Sequence, residues 1–333
     1  MKKLLPVMII LLMSCEQALM KPTPESTPKA IFEQVWSFVN DKYSFFEFKN
    51  VDWDKAYKTY SAKVNDSMTE EELFTVCYDM LYELKDEHTN LITRFNISHN
   101  PEVFLDYPDN FFSSVLTRNY FDGHQQRIDQ TFSLFDFGDI IYIRYSSFED
   151  NISDYAMDYV IDKTKDKKGL IIDVRNNGGG SITNIDILCS RLMKETTSMG
   201  VERHKSGKGK NDFSEEKVNV SVDANAKRFL DKPLMILTNR GCYSATNRFA
   251  AYMKGLPNVT LVGDVTGGGG GLPTATELSN GWVLRVSGSQ FIDRRGDNIE
   301  NGVKPDVKID ILKTDIDNGK DTILEKALSL IRK

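Results

Sequence analysis

The stretch "LMILTNRGCYSATNRFAAYM", residues 234–253, decides how this chain folds. It opens on an apolar run, Leu234 to Leu237, crosses a polar turn at Asn239–Tyr243 and becomes amphipathic directly after Ser244. A short apolar run bounded by turn residues reads as a strand covered on both faces, and the segment after it reads as a helix. The unit recurs through the second half of the chain. "IIYIRY" (140–145), "GLIIDVR" (169–175) and "VTLVGD" (259–264) are further strand candidates, with helical stretches after Gly180 and after Ser244. Strands alternating with helices predict an α/β core with a buried sheet, running from Asp139 to the C-terminus. Near its end "GWVLRVSGSQFID" (281–293) reads as a strand or bent hairpin, and Thr322–Arg332 as a closing helix.

This order puts Ser244 at a helix N-terminus, at the end of a core strand. Serine is a common N-cap. The free N–H groups and the positive dipole end that favour a cap also stabilise developing negative charge, so the position suits a nucleophile. In "GLIIDVRNNGGGS" (169–181) a buried strand runs into Asn176, Asn177 and three glycines. Such a run adopts backbone angles closed to other residues and can leave N–H groups free to cradle a phosphate or an oxyanion. The loop matches neither the Walker-type nor the dinucleotide-binding glycine pattern, which argues against a nucleotide.

Upstream, residues 31 to about 86 are helical in pattern. Ile31, Phe32, Val35, Trp36 and Val39 share one face, as do Leu73, Val76, Cys77, Met80, Leu81 and Leu84, with Ser67 and Glu70 as a candidate capping box. Asp86 and Glu87 fit two readings, as solvent-facing ends of that helix or, for Glu87, as a carboxylate of a site beside His88. The first fifteen residues, "MKKLLPVMIILLMSC", combine two lysines, an apolar stretch too short to span a bilayer, and Ser14-Cys15. They resemble a lipoprotein signal with Cys15 as the acylated residue, so the expected localisation is the cell envelope, facing the periplasm or exterior. The polar, Pro-rich residues 16–28 read as a tether. The expected organisation is a signal peptide 1–15, a tether 16–28, a helical domain 29–95, an irregular insert 96–138 and an α/β core 139–333.

With 333 residues and 40% hydrophobic content the chain can fill a large core. A net charge of -6 with scattered lysines and arginines argues against a nucleic-acid partner. After export three cysteines remain, Cys77, Cys189 and Cys242, each beside an apolar segment, which predicts buried thiols rather than a disulfide framework. No spacing of Cys and His suggests a metal site.

Taken in order, "GLIIDVRNNGGGS", "LTNRGCYSATNRFAAYMKG", "VTLVGDVTGGGG" and "NIENGVKPDV" resemble the core motifs of the C-terminal processing peptidase family, which includes the tail-specific proteases, the tricorn protease and the interphotoreceptor retinoid-binding proteins. The resemblance implies a crotonase/Clp protease-type core with a small N-terminal helical domain. It implies a serine peptidase acting on peptides or unfolded protein tails without any cofactor. By the same resemblance Ser244 is the nucleophile, and the N–H groups of Ala245 and of Gly178 or Gly179 form the oxyanion hole. Tail-specific members activate the serine with a lysine; Gly269 stands at that position here. The tricorn-like branch instead takes a histidine from a Leu-x-x-x-His motif, and "LKDEHTNLIT" (84–93) puts His88 there, with His204 as runner-up. Glu300, before Asn301-Gly302-Val303, matches the orienting acid, and Glu87 stands where tricorn has a second serine. The span 89–138 is too short for a complete PDZ domain, and its aromatic-rich "NPEVFLDYPDNFF" is expected to shape the cleft instead. Two further readings remain on the same fold: a catalytically inactive protein that binds peptides or hydrophobic ligands, and an acyl-CoA-type enzyme.

Overall fold

A computed structural model describes residues 25–214, 218–229 and 231–333. The signal segment, Cys15 and most of the tether lie outside the described residues. Helix α1 (Pro28–Lys42) starts on Thr27, whose hydroxyl accepts from Ala30 N–H. It packs with α2 (Trp53–Ser61) and α3 (Glu70–Tyr82) around Ile31, Phe32, Val35, Val39, Trp53, Cys77 and Met80. The capping box of α3 is Thr69 with Glu72, two residues later than expected, because Ser67 is already engaged by Asn65 Oδ1 in the preceding turn. Leu278, Trp282, Leu284 and Val286, some two hundred residues downstream, complete this core.

After α3 the chain forms β1 (Asn90–Ile92) and a short 3-10 turn at Pro101–Phe104. It then forms two strands that the sequence reading assigned to an irregular insert, β2 (Gln126–Ile128) and β3 (Phe132–Asp136). They are short, so little alternation marks them, and they extend the main sheet by antiparallel pairing onto β4 (Ile140–Tyr145). Helix α4 (Asp154–Lys163), β5 (Gly169–Asp173), α5 (Ile182–Ser190), β6 (Thr197–His204), β7 (Val218–Val222), β8 (Leu234–Thr238), α6 (Ala245–Met253) and β9 (Val259–Gly263) follow. The chain closes with β10 (Pro273–Glu277), β11 (Val283–Ser287), β12 (Ser289–Asp293), β13 (Val307–Lys308), α7 (Lys313–Asp317) and α8 (Thr322–Arg332). The central sheet has the order β13-β9-β8-β5-β4-β3-β2, parallel from β13 through β4.

Its strands read as continuous apolar runs because both faces are covered. Ile141, Ile143, Leu170, Ile172, Leu234 and Ile236 turn toward α4, α5 and α6, while Tyr142, Ile171, Met235 and Leu237 turn toward α8. The segment 281–293 bends at Gly288 rather than folding into a hairpin. β11 pairs with β1 and β10 in one sheet and β12 with β6 in another.

One ion-pair network ties the sheet to its last helix. Fully buried Arg175 donates to both Asp173 oxygens and reaches Asp321, which also caps α8 through Leu324 N–H. Burial alone would raise the Asp173 carboxyl, but Arg175 and Arg144 outweigh it and hold the group below the usual range. Removing one partner of such a network leaves uncompensated buried charge. Arg175→Met is therefore expected to lower stability by about 3–5 kcal/mol, read from the urea midpoint, and a loss below ~1 kcal/mol would contradict this account.

Candidate active site

Three loops leave the C-terminal ends of the neighbouring parallel strands β5, β8 and β9. Asn176 N–H donates to Asn239 Oδ1 at 2.8 Å, and Asn239 Nδ2 returns a bond to Asn176 Oδ1 at 2.6 Å. Tyr243 N–H donates to Asn177 O, and Ser244 N–H to Gly268 O at 2.9 Å. The serine loop is thereby clamped between the two glycine-rich loops. Gly179 is required there: a Cβ at its φ of +106° would lie 2.8 Å from Tyr243 O and 2.9 Å from Ala245 N.

Held this way, Ser244 has φ 55° and ψ -118°, a conformation that a non-glycine residue adopts only when its surroundings impose it. It occupies the N-cap position, but its side chain makes no capping bond. Ser244 Oγ instead lies 3.0 Å from His88 Nε2. His88 lies in the loop after α3, two residues before the start of β1, whose pairing Asn90 to Arg285 on β11 fixes where the ring arrives. The two residues line a cleft of about 530 Å³ with Glu87, Asn90, His99, Ser147, Glu149, Gly178–Gly180, Tyr243 and Arg285.

The charges behind the imidazole differ from the expected arrangement. Asp86 is buried (1% exposed) rather than solvent-facing, and its Oδ1 accepts from His88 N–H at 2.9 Å. Glu300 does not touch the ring: it pairs with Lys49 Nζ at 2.6 Å and accepts from Gly270 N–H at 2.8 Å. Glu87 turns away to His99 Nδ1 at 3.0 Å. Lys49, carried by the loop between α1 and α2, also lies 3.9 Å from Asp86. Two carboxylates thus share one buried ammonium. Burial and the nearby Asp86 raise Glu300 to about 7 against the pull of Lys49. Asp86, although buried, is lowered by Lys49 and His88. For His88, burial pushes the imidazole down to about 4; Asp86 opposes this, while Arg285 and Lys49 add to it. His88 Nδ1 and Asp86 Oδ2 are both buried with no hydrogen-bond partner among the described residues.

Gly269, at the position of the family's lysine, faces the Tyr243 ring, and a Cβ there would come within 2.5 Å of it. The same ring meets His88 edge-on, with centroids 5.0 Å apart, and Phe104 at 5.3 Å. The aromatic insert does not line the cleft but packs behind it: Arg240, which donates to Thr266 O, stacks on Tyr107, and Phe104 meets the Tyr243 ring. Of the expected anion donors, Gly179 N–H is taken by Asn177 Oδ1 at 3.0 Å. The N–H groups of Gly178 and Ala245 have no acceptor among the described residues. His204 is exposed at the end of β6 and absent from the cleft lining. Among the described residues, Cys77, Cys189 and Cys242 are buried and unpaired. Lys49, Arg285 and Tyr243 were not singled out from the sequence.

A serine at a strained turn above a mixed α/β sheet, in reach of a buried histidine and beside free N–H groups, defines an arrangement suited to acyl transfer. The chain belongs to peptidase family S41, whose profile matches residues 139–309, and residues 24–82 match the tricorn protease C1 domain. The carboxy-terminal processing protease CtpA of Bacillus subtilis (strain 168) is 31% identical over 175 residues, 51% of this chain and 34% of that protein. The chloroplastic C-terminal processing peptidase of Tetradesmus obliquus is 29% identical over 53% of this chain and 37% of its own length. The match thus spans about a third of these relatives. A crystal structure of a putative peptidase from Parabacteroides merdae shares 39% identity at a TM-score of 0.87, covering 92% of this chain and 97% of that one. Mature CPAF, at 12% identity and a TM-score of 0.66, shares the fold.

The depressed basicity of His88 is directly measurable. Its imidazole resonance is expected to titrate near pH 4 rather than near 6.5, and Asp86→Asn should move the midpoint lower still, because Asp86 is the group favouring imidazolium. The unfolded chain binds a proton at this histidine between those two values and the folded chain does not. Its contribution to stability is therefore lost as pH falls through that window. A midpoint near 6.5 in the folded protein would contradict the burial described.

Proposed function

We propose that this chain is a serine peptidase that hydrolyses peptide bonds of peptides or unfolded protein tails through acylation of Ser244. The observation that carries this reading is the 3.0 Å contact between Ser244 Oγ and His88 Nε2 inside the cleft. His88 accepts the hydroxyl proton as Oγ attacks the scissile carbonyl and returns it to the leaving amine; water then cleaves the ester by the same route. The N–H groups of Gly178 and Ala245 receive the oxyanion. Asp86, rather than Glu300 or Glu87, steadies the imidazolium that forms. Glu300 and Lys49 hold Asp86 and the Gly270 backbone from behind. The substrate is a peptide or protein, in keeping with the processing proteases among the relatives.

On the same reading the protein is an envelope lipoprotein acylated at Cys15. No described helix is long and apolar enough to cross a membrane. The leader sequence supports attachment through lipid, and Cys15→Ala is expected to release the protein from the membrane fraction.

A fluorophosphonate probe is expected to label the wild-type protein at Ser244. Ser244→Ala should abolish labelling, and His88→Ala should slow it by roughly 10²–10⁴-fold. Asp86→Asn should slow it by about tenfold or more, while Glu87→Gln stays within about twofold. Unchanged labelling of Ser244→Ala would exclude the mechanism. Absence of labelling in the wild type would favour a binding protein on the same fold.

A further inference from the structure

Among the described residues the cleft contains one permanently charged cation, Arg285, and no carboxylate pairs with it. Arg285 sits on β11 opposite Asn90 of β1, with its side chain half-buried in the cleft wall beside His88 and Ser244. Its one hydrogen bond runs from an Nη to Asn90 Oδ1 at 3.3 Å, and no carboxylate lies within 4 Å among the described residues. The buried arginines are paired with carboxylates: Arg175 with Asp173 and Asp321, Arg191 with Asp154 and Asp158, and Arg248 with Glu202. The half-buried Arg203, Arg240 and Arg294, which have no carboxylate partner among the described residues, donate to other side-chain or backbone oxygens within 3.0 Å. The two glutamates of the cleft do not serve Arg285: Glu87 is bound to His99, and Glu149 lies against Gly180 on the glycine-loop wall.

A guanidinium held on a rigid strand, with most of its donors unused and facing a cavity, is built to take a planar, two-oxygen acceptor. We infer that Arg285 is a substrate-binding residue that recognises a carboxylate of the peptide, either the terminal α-carboxylate or an acidic side chain, and so fixes which bond lies over Ser244. The inference rests on the peptidase reading above for its substrate class, and deepens it. Electrostatics point the same way. Arg285 is one of the charges disfavouring a proton on His88. A bound carboxylate offsets that charge at the moment the imidazole must accept a proton. The alternative role, a hydrogen bond that merely keeps β1 in register through Asn90, predicts no dependence on substrate charge.

The test is binding to Ser244→Ala protein, measured by fluorescence anisotropy with N-terminally labelled decapeptide pools. One pair of pools differs only in a free or amidated C-terminus; a second pair, both amidated, differs in one internal Glu or Gln. A charge-assisted contact of about 1.5–3 kcal/mol corresponds to roughly a 10- to 150-fold preference for the carboxylate member of at least one pair. Adding Arg285→Gln should reduce that preference to within about twofold, and Arg285→Lys should retain part of it. Which pair shows the preference identifies the terminal or the side-chain carboxylate as the ligand. Equal binding within both pairs, no binding of any pool, or a preference that survives Arg285→Gln overturns the inference. Because binding is read without catalysis, a carboxylate preference in a protein that the fluorophosphonate never labels would leave the subsite standing while removing the hydrolytic reading.

Discussion

The pairing of β1 with β11 is the joint on which the site depends. Ser244 belongs to the sheet, His88 belongs to the helical unit, and they are separated by 156 residues of chain. Hydrogen-bond reach tolerates errors of only a few tenths of an ångström. Two bodies joined by loops alone would not hold such a distance. Here the later chain enters the earlier core: Trp282, Leu284 and Val286 pack among α1, α2 and α3. On the same strand the backbone registers Leu284 against Leu91 and Arg285 against Asn90. Burial of the apolar face and ladder register thus act together, and a one-residue slip would turn Arg285 toward the core and Leu284 toward the cleft.

Behind the imidazole, charge is arranged by scarcity. Asp86 and Glu300 have one ammonium, Lys49, between them, and burial makes the second negative charge costly. The result is an ionised Asp86 close to His88 and a Glu300 that gains its proton readily. The carboxylate the family pattern points to therefore bonds the lysine and the Gly270 backbone, while Asp86, two positions before the histidine, accepts from its backbone N–H.

How much of this was legible in the sequence depended on distance along the chain. The sheet was readable because each strand carries its own two-faced burial as an apolar run, and Ser244 because strand, turn and helix are contiguous. The glycine loop was readable for the same reason, although only the packed structure separates the free N–H of Gly178 from that of Gly179, which Asn177 occupies. β2 and β3 escaped because three and five residues carry too little alternation. Lys49, Asp86 and Arg285 escaped for a different cause. The partners that hold them lie 37 to 251 positions away, and on a linear reading a charged residue looks like a solvated one.

The Tyr243 ring occupies the space a side chain at position 269 would need, which bears on how such a site can change over generations. A lysine introduced at 269 alone meets the ring. A small residue at 243 alone empties the space beside His88 and Phe104 and supplies no base. Positions 243 and 269 are therefore sterically coupled: what one can hold depends on what stands at the other, although they lie on different loops.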